Sequence, residues 1–242
     1  SGYLIGPGAD LASATLSNAN LTNAYLTNTN LAGADLTDAT LVGVQSGGIT
    51  GTPHALPTAG PYGNAQWQLI DGYLIGPGAD LTGASLTDSN LNNTDLVGAN
   101  LTNAQLNGVH LDNADLYNAT LTGVQSGAIT GTIKFLPADW RLTTNGYLIG
   151  PSANLTNADC RMARFSYSNL NDAVLVDADL SSTSFIEADL VNADLDSAIL
   201  NSANLNYANL NYANLNNTEM DSAYMNDVDE RPMEPLLPII DP

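Results

Sequence analysis

Leucine recurs at every fifth residue along most of the chain, with alanine two places before it. The run from Ala188 to Leu210, A-D-L-V-N-A-D-L-D-S-A-I-L-N-S-A-N-L-N-Y-A-N-L, shows the pattern plainly. A five-residue period fits neither regular element. On an α-helix, five steps of about 100° turn the leucine by about 140° per repeat, so no apolar stripe forms. On a straight strand five is odd, and successive leucines would point to opposite faces. The pattern is consistent with a chain that bends once per repeat. With leucine at position i, residues i−2 and i face inward from one short extended side, and i+1 and i+2 make the bend. Four bends close a square coil of about 20 residues, and coils stack at the strand spacing of about 4.8 Å. The sequence predicts an all-β solenoid.

Three blocks, Leu11 to Leu41, Leu81 to Leu121 and Leu155 to Met225, hold 31 centre positions. Leucine fills 26 of them, and Cys160, Phe165, Phe185, Met220 and Met225 fill the rest. At i−2 there are 24 alanines; Thr29, Ser89, Thr94, Val109, Ser168, Thr183 and Thr218 are all small or β-branched, as a crowded inner corner requires. Outward position i−1 is mostly Asp, Asn, Thr or Ser. Position i+2 favours Asn, Gly, Asp and Ser, which tolerate tight bends. The inward spine is represented by Leu11, Leu16, Leu21, Leu86, Leu91, Leu101, Leu170, Leu190, Leu205 and Leu210. Every twentieth residue is expected to stack, giving mixed columns such as Asp159, Asp179, Ile199, Glu219 and Asn154, Val174, Asp194, Asn214.

Tandem A-[D/N]-L-x-x over about two-thirds of the chain resembles the pentapeptide-repeat family. The resemblance implies a right-handed quadrilateral parallel β-helix. It implies no single molecular role, because a fold of this kind hosts many.

The repeats fall into modules. G-Y-L-I-G-P-G-A-D-L opens at Gly2 and again at Gly72, and G-Y-L-I-G-P-S-A-N-L opens at Gly146. V-Q-S-G-G-I-T-G-T at Val44–Thr52 recurs as V-Q-S-G-A-I-T-G-T at Val124–Thr132. Between closing and opening motifs lie segments containing Leu-Pro and Trp. The expected division is therefore module 1 at 1–71, with an excursion at 53–68; module 2 at 72–145, with an excursion at 133–140; module 3 at 146–228; and a Pro-rich tail at 229–242. Residues 53–66 and 133–139 are expected outside the column, with Trp67 and Trp140 folding back onto its wall. Leu69, Leu74 and Ala79 keep the inward phase through the opening motif. Gly51 and Gly76 stand at centre positions, which predicts thinner or irregular coils there.

Charge narrows the partners. The net charge is −20, with five cations: Lys134, Arg141, Arg161, Arg164 and Arg231. That argues against nucleic acid or an anionic membrane as direct partner, and no apolar run is long enough to span a bilayer. A single cysteine, Cys160, precludes an intrachain disulfide and stands in a leucine place. His54 and His110 have no ligand partner at a recognised spacing, and Asp177 with Asp179 lacks a calcium-loop context. No nucleophile, P-loop or dinucleotide motif is present, so neither an enzyme nor a cofactor is expected. The start at Ser1, without an initiator Met, points to a processed protein or an excised fragment.

The expected role is a non-enzymatic structural or interaction protein, an acidic rod that meets protein through its ends. Other copies of itself, stacked end to end into a filament, are included among those partners. The candidate ends are Tyr3, Leu4 and Ile5, and Leu236, Leu237, Ile239 and Ile240 in the tail. Low lysine and abundant Asn, Thr and Ser favour an extracellular or cell-surface setting, with the cytoplasm as the alternative. Two other readings stay open. The family resemblance allows a DNA-mimicking, gyrase-binding protein, although Leu replaces frequent Phe at the centre and no C-terminal helical segment is visible. Tyr167, Tyr207 and Tyr212 beside Asn-rich faces allow a carbohydrate-binding surface.

Overall fold

The computed structural model describes residues 3–58 and 66–229. The chain divides into two compact units, Ser1–Trp140 and Arg141–Pro242. Among the described residues there is no helix. Regular strands are short and the coils are held mainly by single parallel bridges between residues 20 apart. In the first unit Asp10, Thr15, Asn20 and Tyr25 bridge Asn30, Asp35, Thr40 and Gln45. In the second, the chains of bridges Asp159, Asp179, Ile199, Glu219 and Asn154, Val174, Asp194, Asn214 run as the sequence predicts.

Each pentad accounts for its backbone N–H groups in a fixed way. The centre residue donates to the next coil (Leu11 N to Asn30 O, 2.9 Å), and so does i+2 (Ser13 N to Ala32 O, 2.7 Å). The i−2 amide closes the bend onto the preceding centre (Ala14 N to Leu11 O, 3.0 Å), and i−1 donates to the coil before (Asn30 N to Ala9 O, 3.0 Å). That leaves the i+1 amide. The Asp or Asn at i−1 takes it, as in Ala12 N to Asp10 Oδ1 (3.2 Å), Thr82 N to Asp80 Oδ1 (3.1 Å) and Asn206 N to Asn204 Oδ1 (3.1 Å). Elsewhere an Asn at i+1 one coil away supplies the acceptor, as Asn171 Oδ1 does for Val191 N (3.0 Å). A buried or half-buried amide needs a partner, and a short side-chain oxygen two residues back is the shortest route to one. Position i+2 takes the left-handed conformation at Ser13, Asn18 and Asn23 (φ 56°, 59° and 57°), where Asn, Asp and Gly are least strained.

The centre leucines are buried. Leu86, Leu91, Leu101, Leu170, Leu190 and Leu205 are fully buried, and Leu11, Leu16, Leu21 and Leu210 are at most 5% exposed. Phe165 and Phe185, one coil apart, meet edge to face with centroids 5.2 Å apart. Cys160 is buried with them, and desolvation, helped by Asp159 and Asp179, pushes its thiol up to about 12, so it is an inert core filler. Polar side chains at the inner corner bond locally: Thr94 Oγ1 donates to Leu91 O and Thr183 Oγ1 to Cys160 O, both at 2.7 Å. The spine fades at the far end, where Met220 is half-buried and Met225 is exposed.

Three expectations need correction. The second and third opening motifs are not parallel coils. β1 (Gln68–Ile70) pairs antiparallel with β2 (Tyr73–Ile75), setting Leu69 opposite Leu74, and only Leu74 is fully buried. The connection is Asp71-Gly72 with φ 49° and 80°, a two-residue hairpin whose twist suits antiparallel strands. β3 (Gln105–Asn107) and β4 (Gln125–Gly127) pair in parallel, while β5 (Arg141–Leu142) and β6 (Leu148–Ile149) repeat the antiparallel hairpin. The Arg141 guanidinium anchors it, donating to Ser166 O at 2.7 Å and to Ser168 Oγ.

The excursions also begin later than expected. Ala55 still bridges Asp35, and Phe135 still bridges Asp115. Leu36 N and Leu116 N would otherwise lack acceptors; they donate to Ala55 O (3.0 Å) and Phe135 O (2.9 Å). After the first departure the ladder resumes with Gln45 bridging Asp80. Trp67 folds back and is 5% exposed, its backbone N–H donating to Pro57 O at 3.1 Å, while Trp140 is half-buried.

Finally, Gly51 and Gly76 are not thin core positions. Gly51 is exposed and lies against the backbone of Ala32, and Gly76 lies under the ring of Trp67.

Candidate interaction surfaces

The wall is acidic but internally bonded. Carboxylates stack on amides of the next coil: Asn30 Nδ2 donates to Asp10 Oδ1 (3.0 Å), Asn209 Nδ2 to Asp189 Oδ1 (3.0 Å) and Asn214 Nδ2 to Asp194 Oδ1 (2.8 Å). This alternation avoids carboxylate directly over carboxylate on those columns. Where Asp159 and Asp179 do stack, Arg161 grips Asp159 at 2.8 and 2.7 Å and approaches Asp179 at 3.7 Å. These groups are solvent-exposed, so the pairing organises the wall more than it stabilises the fold.

Asp35 is the most strongly perturbed carboxylate. It accepts from Ser17 Oγ and Thr37 Oγ1, both at 2.6 Å, and from Thr37 N at 2.9 Å. The Ser17 bond is the largest cause, and together the bonds hold its pKa at about 2. They favour the ionised form, so the folded value lies below the unfolded one. The resulting stabilisation is present above the unfolded value of about 3.9 and is lost as pH falls through the folded value. A carboxyl-carbon NMR titration is expected to place Asp35 about two units below an ordinary aspartate, and Ser17→Ala to move it upward. An unchanged titration in Ser17→Ala would remove this bond as the cause.

Among the described residues no group of three or more His, Cys, Asp and Glu converges. His110 Nδ1 lies 2.5 Å from Thr130 Oγ1 on the wall, and His54 is exposed. Tyr167, Tyr207 and Tyr212 are exposed at bends with φ 60°, 62° and 63°. Apolar surface does gather at Val97, Tyr117 and Phe135 around a hollow of about 360 Å³ beside Asp115, with Lys134 Nζ 5.4 Å from the Phe135 ring centre.

The expected N-terminal end residues are exposed: Tyr3 42%, Leu4 90% and Ile5 37%. Next to them a cavity of about 330 Å³ is lined by Ile5, Gly6, Pro7, Leu21, Ala24 and Tyr25, among others. Leu236, Leu237, Ile239 and Ile240 lie outside the described residues. The amide-capping role of i−1 and the cavity over Gly6 are features that side-chain patterning alone did not reveal. A run of Asx residues two places before a bend was the available signal for the first.

The pentapeptide-repeat family model matches in eight copies over residues 8–43, 77–103, 94–125, 163–201 and 198–229, more than half of the chain. The chain belongs to the pentapeptide-repeat family. Among curated proteins, none matches by sequence. Among solved structures, HetL, a pentapeptide-repeat protein involved in heterocyst differentiation regulation in the cyanobacterium Nostoc sp. strain PCC 7120, is 25% identical. That alignment covers 89% of this chain and 88% of HetL, with a TM-score of 0.28. Rfr23 of the cyanobacterium Cyanothece 51142 is 20% identical over 63% of this chain and 91% of its own, with a TM-score of 0.21. Full-length QnrB1, a plasmid-mediated fluoroquinolone resistance protein, is 16% identical over 95% and 94%, with a TM-score of 0.24. At such TM-scores these likenesses carry no argument about shape or role. No helix among the described residues is long and apolar enough to cross a membrane.

Proposed function

We propose that this pentapeptide-repeat protein is a non-enzymatic interaction scaffold that meets protein partners through its ends. The observation that carries the reading is the contrast between wall and end. Along the wall, carboxylates, amides and turn N–H groups are bonded to one another. At the end, Leu4 stands 90% exposed beside Tyr3 and Ile5. An exposed apolar segment of this kind suits contact with another chain. The acidic wall, with a net chain charge of −20, disfavours side-to-side clumping and leaves the ends as the adhesive surfaces.

In this reading the coils are right-handed and square, one bend per pentad and four per 20 residues. The working units are the modules at 1–71, 72–145 and 146–228. Copies of the chain are one class of partner. Two unlike ends of a directional column form heterologous contacts, which grow into open filaments unless rotation closes them. An extracellular or cell-surface setting suits such assembly and the low lysine content.

Sedimentation velocity on the full chain, on Leu4→Glu and on a chain lacking residues 231–242 tests end-to-end assembly. Concentration-dependent association that either change weakens supports it. Monodisperse monomers at high concentration in all three would exclude self-stacking. The broader partner reading is tested by affinity capture from the source, where loss of captured protein in Leu4→Glu is expected; capture unaffected by that variant overturns a role for this end.

A further inference from the structure

The wall carries an apolar exception in the second module. Positions 80 residues apart hold equivalent places in the first two modules, as Val44 and Val124 do in the closing motif and the bridges Asp35–Ala55 and Asp115–Phe135 do in the ladder. In the first module one patch of wall is built from Thr15, Ser17, Asp35, Thr37 and Ala55. Ser17 and Thr37 donate their hydroxyls to the Asp35 carboxylate, both at 2.6 Å, which closes the patch as a polar surface. In the second module the same places hold Asp95, Val97, Asp115, Tyr117 and Phe135. The backbone frame is kept, with Tyr117 N donating to Asp115 Oδ1 (3.1 Å) as Thr37 N does to Asp35 Oδ1 (2.9 Å). The two short hydroxyls are gone. Tyr117 and Phe135 stand 54% and 53% exposed around the hollow of about 360 Å³. Apolar groups gathered at a hollow, rather than scattered singly, mark a contact site.

Charge selects the occupant. Asp95 stacks directly on Asp115 in the ladder, and Lys134 Nζ lies 3.1 Å from Asp115 Oδ2. Among the described residues Asp95 accepts only from Val97 N (3.0 Å), so one of its oxygens stays open beside the apolar side chains. Residues 1–140 carry ten acids against one cation, Lys134. A second copy of this chain, also at −20, is repelled by such a surface. A sugar would find few free polar groups, because both Asp115 oxygens are already committed. An arginine suits both halves of the site. Its guanidinium stacks flat on an aromatic ring while its N–H groups bond a carboxylate, a combination that a lysine ammonium lacks.

We infer that the hollow at Val97, Tyr117 and Phe135 is a lateral docking site for a basic segment of a partner protein. An arginine of that segment stacks on the Tyr117 ring and bonds Asp95, and an adjoining apolar side chain fills the hollow. The contact lies on the wall, so it goes beyond the end-directed reading above and stands or falls separately from it.

The test adds the acetylated and amidated peptide Ser-Leu-Arg-Leu-Ser to the full chain, with an Arg-to-Glu version beside it. Saturable amide NMR shifts gathered at Val97, Asp115, Tyr117 and Phe135 are expected, and the Glu peptide is expected to leave them unmoved. Tyr117→Thr and Phe135→Ala restore the residues of the first module, and each is expected to weaken binding about tenfold. Asp95→Thr is expected to weaken it about threefold and to remove most of its salt dependence. Circular dichroism checks the fold of each variant; should Tyr117→Thr disturb it, Asp95→Thr decides. No saturable shift, equal binding of the Glu peptide, shifts spread along the whole acidic wall, or unchanged affinity in the variants overturns the inference. Chitotriose moving the same amides when the peptide does not would assign the hollow to a sugar, and self-association abolished by Tyr117→Thr would assign it to a second copy. Either result also overturns the inference, and neither touches the role of the ends.

Discussion

Leu205→Asp is expected to cost more than about 4 kcal/mol, while Asn206→Asp stays within about 0.5 kcal/mol of the parent. The two residues are adjacent and the introduced side chain is the same, so the difference isolates direction. Leu205 is fully buried, and its own N–H and C=O are committed to Tyr224 O (2.8 Å) and Ala208 N (2.9 Å). A carboxylate there loses the leucine's burial and is left without a cation in an apolar column. Asn206 instead uses its side-chain oxygen to accept from Asn226 N at 2.9 Å, and an aspartate keeps that acceptor. Because each coil contacts chiefly its neighbours, damage at Leu205 should spread along the fading end of the column rather than through the whole chain. Urea unfolding by circular dichroism gives the midpoints. Hydrogen exchange should show protection lost first between residues 200 and 229. Equal midpoints for the two variants would place residue 205 outside the packed column.

The inward register was legible because each place in the pentad has its own chemistry, and burial of Leu86, Leu170 and Leu205 follows from it. The opening hairpin was harder to see because two geometries yield the same spacing. Leu69 and Leu74 are five apart, as in a bent coil, yet they face each other across an antiparallel pair closed by Asp71-Gly72. The Asp-Gly pair between Leu-Ile and Tyr-Leu was the sequence signal for that hairpin, and the pentad phase concealed it. The limits of the excursions depended on something no side-chain pattern carries, the acceptors needed by Leu36 N and Leu116 N. Tyr3, Leu4 and Ile5 were singled out as apolar residues of the first opening motif, and all three are exposed.

Gly51→Ala and Gly131→Ala are expected to lose about 2 kcal/mol or more each, well beyond a glycine-to-alanine change at an open bend. Two costs combine. Both glycines are in positive φ, +72° at Gly51 and +98° at Gly131, where an L-residue is strained. Both also touch the preceding coil: an added Cβ on Gly51 would lie 2.7 Å from Ala32 N and Cα, and one on Gly131 2.4 Å from Asp112 N. Backbone cannot rotate out of the way as a flexible side chain can. Relief would require moving the coil, which would strain the bonds on either side: Leu31 N to Thr50 O and Gly33 N to Thr52 O, both 2.8 Å, in the first module, and Leu111 N to Thr130 O (2.9 Å) and Asn113 N to Thr132 O (2.8 Å) in the second. Gly83→Ala is the control, since Gly83 has φ +67° but nothing within 4 Å of an added Cβ, so it carries the backbone strain without the collision. Its expected loss is about 1 kcal/mol. Urea midpoints of the three variants separate the two costs. If Gly51→Ala and Gly83→Ala lose the same stability, the coils have room at Ala32 and the close approach contributes nothing.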